Sequence, residues 1–337
     1  MQQIAPPHPP HAADDGTIDS IASWLLAHAQ WWERPHLGAI AGTVGEDGRP
    51  DYFYPESAGY QLSWLAFLAS TRPRLLASAA HSAGGVATWI AGLDALSTRL
   101  VQRGPACWRT EATFSFDLAM LAKGLHAAAP LLATTDLASA RERVWAALDP
   151  LCEIELLPCV VRPGCTMPER WSTLPGPYQL KPAAALMSCA ATPLRVREAA
   201  AATVARWFDA VSCQGPLHPL LYACEGLVLL GERGAASRVL RDVFALQRTD
   251  GSLPESAEEP GSAARADVLA QALRLAAELG EGRRAQLDAL EAALRRHVSR
   301  SGAVRFREHS ADANVWCAQF AHQALSVRAG APMNALV

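Results

Sequence analysis

The sequence has no uninterrupted apolar run that reaches the roughly 18 residues a membrane span requires. It also has no basic stripe with interleaved aromatic residues, and its formal net charge is only −3, so nucleic acid is not expected as the main partner. The opening residues, MQQIAPPHPPHAADDG, show no charged segment followed by an apolar core, which predicts that no secretory signal is present. Eight cysteines in 337 residues are too few for a disulfide framework, so we expect a reduced, cytoplasmic protein.

Motifs that bind phosphate or redox cofactors are also missing. The sequence has no phosphate loop, no dinucleotide fingerprint and no G-x-S-x-G nucleophile elbow, so no cofactor is expected. Cysteines cluster in two stretches: Cys152, Cys159 and Cys165 in the first, and Cys213 and Cys224, with His218 between them, in the second. Neither stretch has the close cysteine spacing of a structural zinc site, and we expect no bound metal. If a metal were bound, Cys213, His218 and Asp312 would be the first ligands to test.

What the sequence does contain is six apolar helical stretches that alternate with amphipathic helices. The apolar stretches begin near Tyr54, Thr113, Pro177, His218, Ala264 and Ala311. The helices between them, such as ARERVWAALDPL and RRAQLDALEAALRRHV, carry apolar residues at i, i+3, i+4 and i+7 and charges elsewhere. This alternation predicts an all-α fold, an (α/α)6 toroid of outer and inner helices, in which 16–337 form one domain after a disordered tail at 1–15. An irregular α-solenoid that does not close is the alternative.

The predicted helices come in pairs, with an outer helix followed by an inner one. The pairs are Asp19–Trp32 with a helix starting near Pro55, Val86–Leu100 with Phe114–Leu125, Leu137–Leu151 with Pro182–Cys189, Leu194–Val211 with Pro219–Leu230, Ala235–Gln247 with Ala264–Leu279, and Arg283–Val298 with Ala313–Val327. A long connection, Cys152–Pro177, separates the helices of the third pair. Arg170 and Trp171 on this connection would either close over a ligand as part of a lid or pack as an ordinary surface loop.

Two short phrases resemble those of known repeat families. Gln247, Asp250 and Gly251 form a Q-x-x-D-G phrase similar to that of the prenyltransferase and squalene-cyclase repeat, which occurs on α/α toroids. The YPESAGY phrase from Tyr54 to Tyr60 resembles one found in bacterial six-hairpin proteins associated with carbohydrate processing. The first resemblance implies the fold, and the second implies a role in carbohydrate processing.

Polar residues recur at helical spacing on the predicted inner helices. The stripes are Glu56, Tyr60 and Ser63; His218, Tyr222 and Glu225; Asp267, Gln271 and Arg274; and Asp312, Trp316, Gln319 and Gln323. An unpaired buried charge is costly, so these side chains either pair with one another or line a hydrated cavity. Helix capping accounts for an acid in the first turn, such as Asp117, but not for amides and charges one or two turns further on. We therefore expect a polar cavity at the centre of the ring.

The candidate catalytic residues are Glu56, Asp267, His218 and Tyr222. Glu56, with aromatic neighbours, is the first candidate for general acid or base, and Asp267 beside Arg265 is the complementary carboxylate held ionised. His218 and Tyr222 suit the base and the acid of a lyase or an epimerase. The residues expected to bind substrate are Tyr54, Tyr60, Asp117, Tyr178, Lys181, Glu225, Arg265, Gln271, Arg274, Asp312, Trp316 and Gln319.

These residues predict a cofactor-independent acid/base enzyme that acts on a sugar or a uronic-acid-like polyhydroxylated substrate by hydrolysis, elimination or epimerisation. Lys181, Arg265 and Arg274 would suit the carboxylate of an acidic sugar, and the substrate would be a small molecule or an oligosaccharide. Two alternatives remain: an isoprenoid cyclase of the squalene type, and a non-catalytic toroid scaffold in a biosynthetic pathway. A hydrated funnel with carboxylates would favour the sugar enzyme, a dry aromatic chamber the cyclase, and a filled ring centre the scaffold.

Overall fold

Twelve α-helices in two concentric layers form the described part of the chain. The structure, a computed structural model, describes residues 15–332 except 94–95, 97–98 and 101–107, so all but one residue of the predicted tail lies outside the described residues. The inner helices are α2 (Pro55–Thr71), α4 (Ser115–Ala127), α6 (Leu180–Ser188), α8 (Leu217–Leu229), α10 (Ala266–Leu279) and α12 (Val315–Arg328). The outer helices are α1 (Asp15–Trp24), α3 (Leu76–Ala91), α5 (Thr134–Leu148), α7 (Leu194–Trp207), α9 (Arg233–Ala245) and α11 (Arg284–Arg296).

The inner helices form a closed ring. Each one contacts the next along the chain, and α12 contacts α2, which closes the circle. The predicted (α/α)6 toroid is therefore confirmed, and the open solenoid is excluded. None of the helices in the described residues is both long and apolar enough to cross a lipid bilayer.

The apolar core lies between the two layers, because outer helices bury one face and inner helices bury almost all of their surface. In α9 the buried residues are Ala236, Val239, Leu240, Val243 and Phe244, which follow the spacing of one helical face. In α10 every residue from Ala266 to Ala276 is buried. The sequence pattern of half-exposed and fully apolar helices thus corresponds to the two layers.

The predicted boundaries were wrong for the first two outer helices. The first outer helix ends at Trp24 and continues as one π-helical turn, Leu25–Ala29, before the chain turns into extended structure at Gln30. The second outer helix, α3, begins ten positions earlier than predicted. The prediction missed its first turns because two adjacent glycines interrupt the apolar pattern of the helix. Its predicted last residue, Leu100, belongs to a short strand instead.

Short strands order the connections that lead into the inner helices. They pair as β1 (Thr43–Val44) with β6 (Ala313–Asn314), β2 (Tyr52–Phe53) with β3 (Arg99–Leu100), and β4 (Ala112–Phe114) with β5 (Cys159–Val161), all antiparallel. Connections from an outer helix to the next inner helix are long, whereas those from inner to outer are short. The long connections therefore gather at the end of the ring where the inner helices begin.

A pair of glycines allows α2 and α4 to pack closely. A Cβ atom on Gly59 would overlap the carbonyl group of Met120, and one on Gly124 would overlap the carbonyl oxygen of Gly59. Because neither helix has a side chain at the crossing, the two backbones are in direct contact. The crossing holds the first turns of the two helices, with Glu56 and Asp117, on the same side of the ring.

Candidate active site

A cavity of about 310 Å³ opens where the inner helices begin. It is lined by Tyr52, Tyr54, Glu56, Arg109, Phe114, Phe116, Asp117, Arg170, Trp171, Ser172, Tyr178, His218, Tyr222, Arg265, Phe306 and Trp316. Each of these residues lies in the first turns of an inner helix or in a long connection that precedes one. The walls combine aromatic rings with carboxyl, imidazole and guanidinium groups.

Two carboxyl groups, those of Glu56 on α2 and Asp117 on α4, line one wall. Tyr222 donates a hydrogen bond of 2.9 Å from its hydroxyl to Oε1 of Glu56. Asp117 is buried, and the hydroxyl of Tyr54 lies 3.4 Å from its Oδ1. Burial, followed by the nearby charge of Glu56, raises the pKa of Asp117 well above its usual value. Arg109 opposes this shift. A carboxyl group with a raised pKa keeps its proton to higher pH, which suits Asp117 to donate a proton.

His218 on α8 lines the cavity with its ring held from behind. Its Nδ1 lies 2.7 Å from Oε1 of Gln271 and 3.3 Å from Oδ2 of Asp267. Because both oxygens can only accept, Nδ1 must carry the proton of the neutral ring. Burial lowers the pKa of His218 despite the opposing carboxylate of Asp267, so the ring is neutral. Nε2, which bonds to no described residue, is then free to act as a base.

Asp267 lies behind this histidine and has no exposed surface. Burial alone would raise the pKa of Asp267, but His218 and Arg265 outweigh it and hold the pKa below its usual value. The guanidinium of Arg265 donates to both carboxylate oxygens, at 3.1 and 2.6 Å, and also contacts Glu255 at 3.0 Å. The predicted pairing of Asp267 with Arg265 is thus present, with Asp267 outside the cavity wall.

A dry ionic cluster lies one helical turn below the cavity. Glu225 forms ion pairs with Lys181, at 2.6 Å, and with Arg274, and all three side chains are 0% exposed. Gln271 donates from Nε2 to Glu225 at 3.2 Å, and Arg274 donates to Gln323 at 2.9 Å. We call Lys181, Glu225 and Arg274 the central ion cluster.

Two tyrosines connect the central ion cluster to the carboxyl group of Glu56. Lys181 donates to the hydroxyl of Tyr60 at 3.2 Å, and the hydroxyls of Tyr60 and Tyr222 are 3.0 Å apart. An ammonium only donates and a carboxylate only accepts, so both hydroxyls donate in the direction of Glu56. A second lysine, Lys123 on α4, is buried close to the cluster, and its Nζ bonds to no described residue.

The polar stripes of the inner helices are therefore divided by depth. Predicted site residues in the cavity wall are Tyr54, Glu56, Asp117, Tyr178, His218, Tyr222, Arg265 and Trp316. Those buried behind or below it are Tyr60, Lys181, Glu225, Asp267, Gln271, Arg274 and Gln319. Asp312 is exposed, near Asp47 and Asp51, and does not reach the cavity. Both arrangements that the sequence left open are thus present: some polar side chains pair with one another, and others line an open cavity.

Several wall residues were missed by the sequence reasoning: Tyr52, Arg109, Phe114, Phe116, Ser172 and Phe306. Tyr52 and Phe114 lie in the strands that lead into α2 and α4, and this position could have identified them. Arg170 and Trp171 of the long third connection do reach the cavity. Among the described residues, no group of three or more histidine, cysteine or acidic side chains is arranged to hold a metal ion.

The chain matches no family model and no curated protein, but its fold matches solved structures. A sugar epimerase from a ruminal bacterium has a TM-score of 0.69 at 9% identity, over 94% of this chain and 98% of that one. The cellobiose 2-epimerase of Bacillus thermoamylovorans B4167 has a TM-score of 0.63 at 10% identity, over 93% and 99%. A glycosidase variant in complex with glucose has a TM-score of 0.63 at 12% identity, over 94% and 96%. The fold is therefore the six-hairpin α/α toroid that these carbohydrate-processing proteins share.

Proposed function

We propose that this chain is an acid/base enzyme that acts on a sugar in the cavity, with hydrolysis of a glycosidic bond as the reaction that the geometry supports best. The observation that carries the proposal is the presence of two carboxyl groups, those of Glu56 and Asp117, in the wall of one cavity lined by aromatic rings. The raised pKa of Asp117 supports it. Glycoside hydrolysis uses two carboxyl groups, one of which protonates the leaving oxygen. The fold similarity to glycosidases and sugar epimerases agrees with this proposal.

In the proposed mechanism Asp117 is the general acid and protonates the glycosidic oxygen as the bond breaks. Glu56 accepts a hydrogen bond from Tyr222 and, as the carboxylate partner, activates water or stabilises the positive charge on the sugar carbon. The rings of Trp171, Tyr178 and Trp316 provide flat apolar surfaces for the faces of the sugar.

A second candidate reaction is proton abstraction from carbon, as in epimerisation or elimination. The observation that favours it is the fixed imidazole of His218, which is neutral and has Nδ1 bonded to Gln271 and Asp267. An imidazole held in this tautomer has a free Nε2 lone pair and works as a general base near neutral pH. Tyr222, whose ring lies 4.3 Å from that of His218 between centroids, would return the proton.

The two alternative functions fit the cavity less well. An isoprenoid cyclase needs a dry aromatic chamber, whereas carboxyl, imidazole and guanidinium groups reach this cavity. A non-catalytic scaffold needs no open cavity. Only the central ion cluster, which fills the ring below the cavity, agrees with a scaffold. An acid/base enzyme accounts both for the open cavity and for the central ion cluster below it.

The test uses the Glu56→Gln and Asp117→Asn variants with a panel of oligosaccharides, and it measures the release of reducing ends. We expect each variant to lower kcat by about 10²- to 10⁴-fold, because each removes one proton-transfer group. The free energy of unfolding should change by less than about 1 kcal/mol, since each amide has the shape of the carboxyl it replaces. Glu278→Gln, in the last turn of α10 and away from the cavity, is the matched control and should retain full activity.

The same reactions run in D2O separate the two candidate chemistries. Incorporation of deuterium at a sugar carbon that depends on His218, without release of reducing ends, would replace hydrolysis by epimerisation. Release of an unsaturated sugar that depends on His218 would replace it by elimination. Full turnover by both carboxyl variants, on a substrate that the wild-type protein converts, would refute the roles of Glu56 and Asp117.

A further inference from the structure

Two arginines in the cavity wall have no acidic partner. Arg109 lies in the 3-10 turn that precedes α4, and Arg170 lies in the long connection before α6. Neither guanidinium forms an ion pair or a side-chain hydrogen bond with any described residue. The third arginine of the wall, Arg265, is different, because Asp267 and Glu255 already neutralise it.

The positive charge of this pair is not balanced by the rest of the wall. Burial, followed by the charge of Arg109, lowers the pKa of Arg170, which indicates that the two cations lie close enough to repel each other. Burial raises the pKa of Asp117 and lowers the pKa of His218, and both shifts favour the uncharged form, although Arg109 opposes the shift of Asp117. Two guanidinium groups in one wall, without an ion-pair partner among the described residues, make the cavity suited to an anionic ligand.

Contacts restrain the side chain of Arg109 and the backbone of Arg170. The guanidinium of Arg109 lies 5.3 Å from the centre of the Trp108 ring, a cation–π contact that restrains its plane. The backbone N–H of Arg170 donates to the hydroxyl of Thr173 at 3.1 Å. The ring of Trp171 packs edge-on against Tyr178, with centroids 5.2 Å apart. The loop backbone that carries Arg170 is thereby tied to the cavity wall.

We infer that Arg109 and Arg170 together bind an oxyanion carried by the substrate, so that the sugar is a sugar acid, a sugar sulfate or a sugar phosphate. The inference rests on the proposed function, because it assigns the substrate class of the same cavity. A guanidinium presents its N–H groups as a planar fork that matches the oxygens of a carboxylate, sulfate or phosphate. Two such forks from separate loops hold the anionic end, and the reacting carbon is left to the carboxyl wall.

The cationic residues named from the sequence for this role do other work. Lys181 and Arg274 form ion pairs with Glu225 below the cavity, and Arg265 forms ion pairs with Asp267 and Glu255. Anion recognition by the wall therefore falls to Arg109 and Arg170.

Calorimetric titration of the wild-type chain with four probes tests the inference: glucose, glucuronate, glucose 6-sulfate and glucose 6-phosphate. At least one anionic probe should bind about 10- to 100-fold more tightly than glucose, the range expected for hydrogen bonds between charged groups. Added salt should weaken the binding of that probe more than the binding of glucose. The preferred probe distinguishes carboxylate from sulfate and phosphate.

Arg109→Gln and Arg170→Gln should each remove most of this preference and leave the affinity for glucose unchanged. Arg206→Gln is the matched control, because Arg206 also lies over a neighbouring tryptophan, Trp207, but is on the outer helix α7. It should retain the preference. Thermal unfolding of each variant confirms that it is folded.

Equal affinities for glucose and all three anions would overturn the inference and leave the proposed acid/base function standing. Failure of every probe to bind at millimolar concentration, or anion binding that survives both arginine substitutions, would also overturn it. Arginine-dependent anion binding together with full turnover by the Glu56 and Asp117 variants would instead keep the binding site and reject the proposed catalytic groups.

Discussion

Replacing Lys123 by methionine should make this protein more stable. Lys123 is 8% exposed on α4, and its ammonium bonds to no described residue. Burial, followed by the nearby charges of Lys181 and Arg274, lowers the pKa of Lys123 to about 7, and Glu225 offsets this only in part. Methionine has a similar length and no charge, so Lys123→Met keeps the packing and removes the unfavourable burial of an ammonium.

The magnitude and its pH dependence follow from the difference in proton binding. The unfolded chain binds the Lys123 proton with its ordinary pKa of about 10.4, and the folded chain with a pKa of about 7. Between these values the folded state binds fewer protons, so its stability rises with pH. At pH 7 the lysine costs about 4 kcal/mol of unfolding free energy, and at pH 10 about 1 kcal/mol. The difference in unfolding free energy between Lys123→Met and the wild-type protein should therefore decrease from pH 7 to pH 10.

Urea unfolding at pH 7, 8.5 and 10, followed by circular dichroism, measures the difference between the two proteins. Lys181→Met is the matched control: it replaces an equally buried lysine, but one that pairs with Glu225 at 2.6 Å. It should give less stabilisation, because Glu225 then loses one of its two cationic partners. A difference between Lys123→Met and wild type that stays constant or grows from pH 7 to pH 10 would refute the reasoning.

Two further predictions concern the buried charges. Glu225→Gln should lower the unfolding free energy by about 3–5 kcal/mol, because it leaves two buried cations uncompensated. Glu278→Gln, in a partly exposed ion pair, should lower it by less than about 1 kcal/mol. Equal losses in denaturant unfolding would contradict a dry cluster. Asp267→Asn should lower the pKa of His218 further, since the carboxylate favours the charged ring; an unchanged or higher value in an NMR titration of the ring would show that Asp267 does not act on His218.

The sequence predicts the ring because the periodicity of apolar residues shows which sides of each helix are buried. Apolar residues on all sides of a segment require neighbours on all sides, and six such segments alternating with one-sided helices indicate a closed double layer. The same periodicity predicts that Glu56, His218 and Tyr222 point inward, and all three line the cavity.

Periodicity does not give depth along the ring axis. Glu225 lies on the same helical face as His218, but it is two turns further in, where the ring is filled, so it pairs with Lys181 instead of facing the cavity. Which inward-facing groups stay hydrated depends on how far the cavity extends, and this is a property of the assembled ring. Arg109 and Arg170, which we propose to bind an oxyanion, were not identified for this role for a different reason: they lie in connections, where no repeat marks the side that faces inward.

The chain has only two lysines, Lys123 and Lys181, among its 30 lysine and arginine residues, and both are buried in the ring. Positive charge on the described surface is therefore supplied by arginine, which does not react with amine-directed reagents. In the folded protein an acylating probe such as an N-hydroxysuccinimide ester would find no accessible lysine. Covalent modification of Lys123 or Lys181 would thus require the ring to open. The rate of modification, followed by mass spectrometry, would then report how often the ring opens.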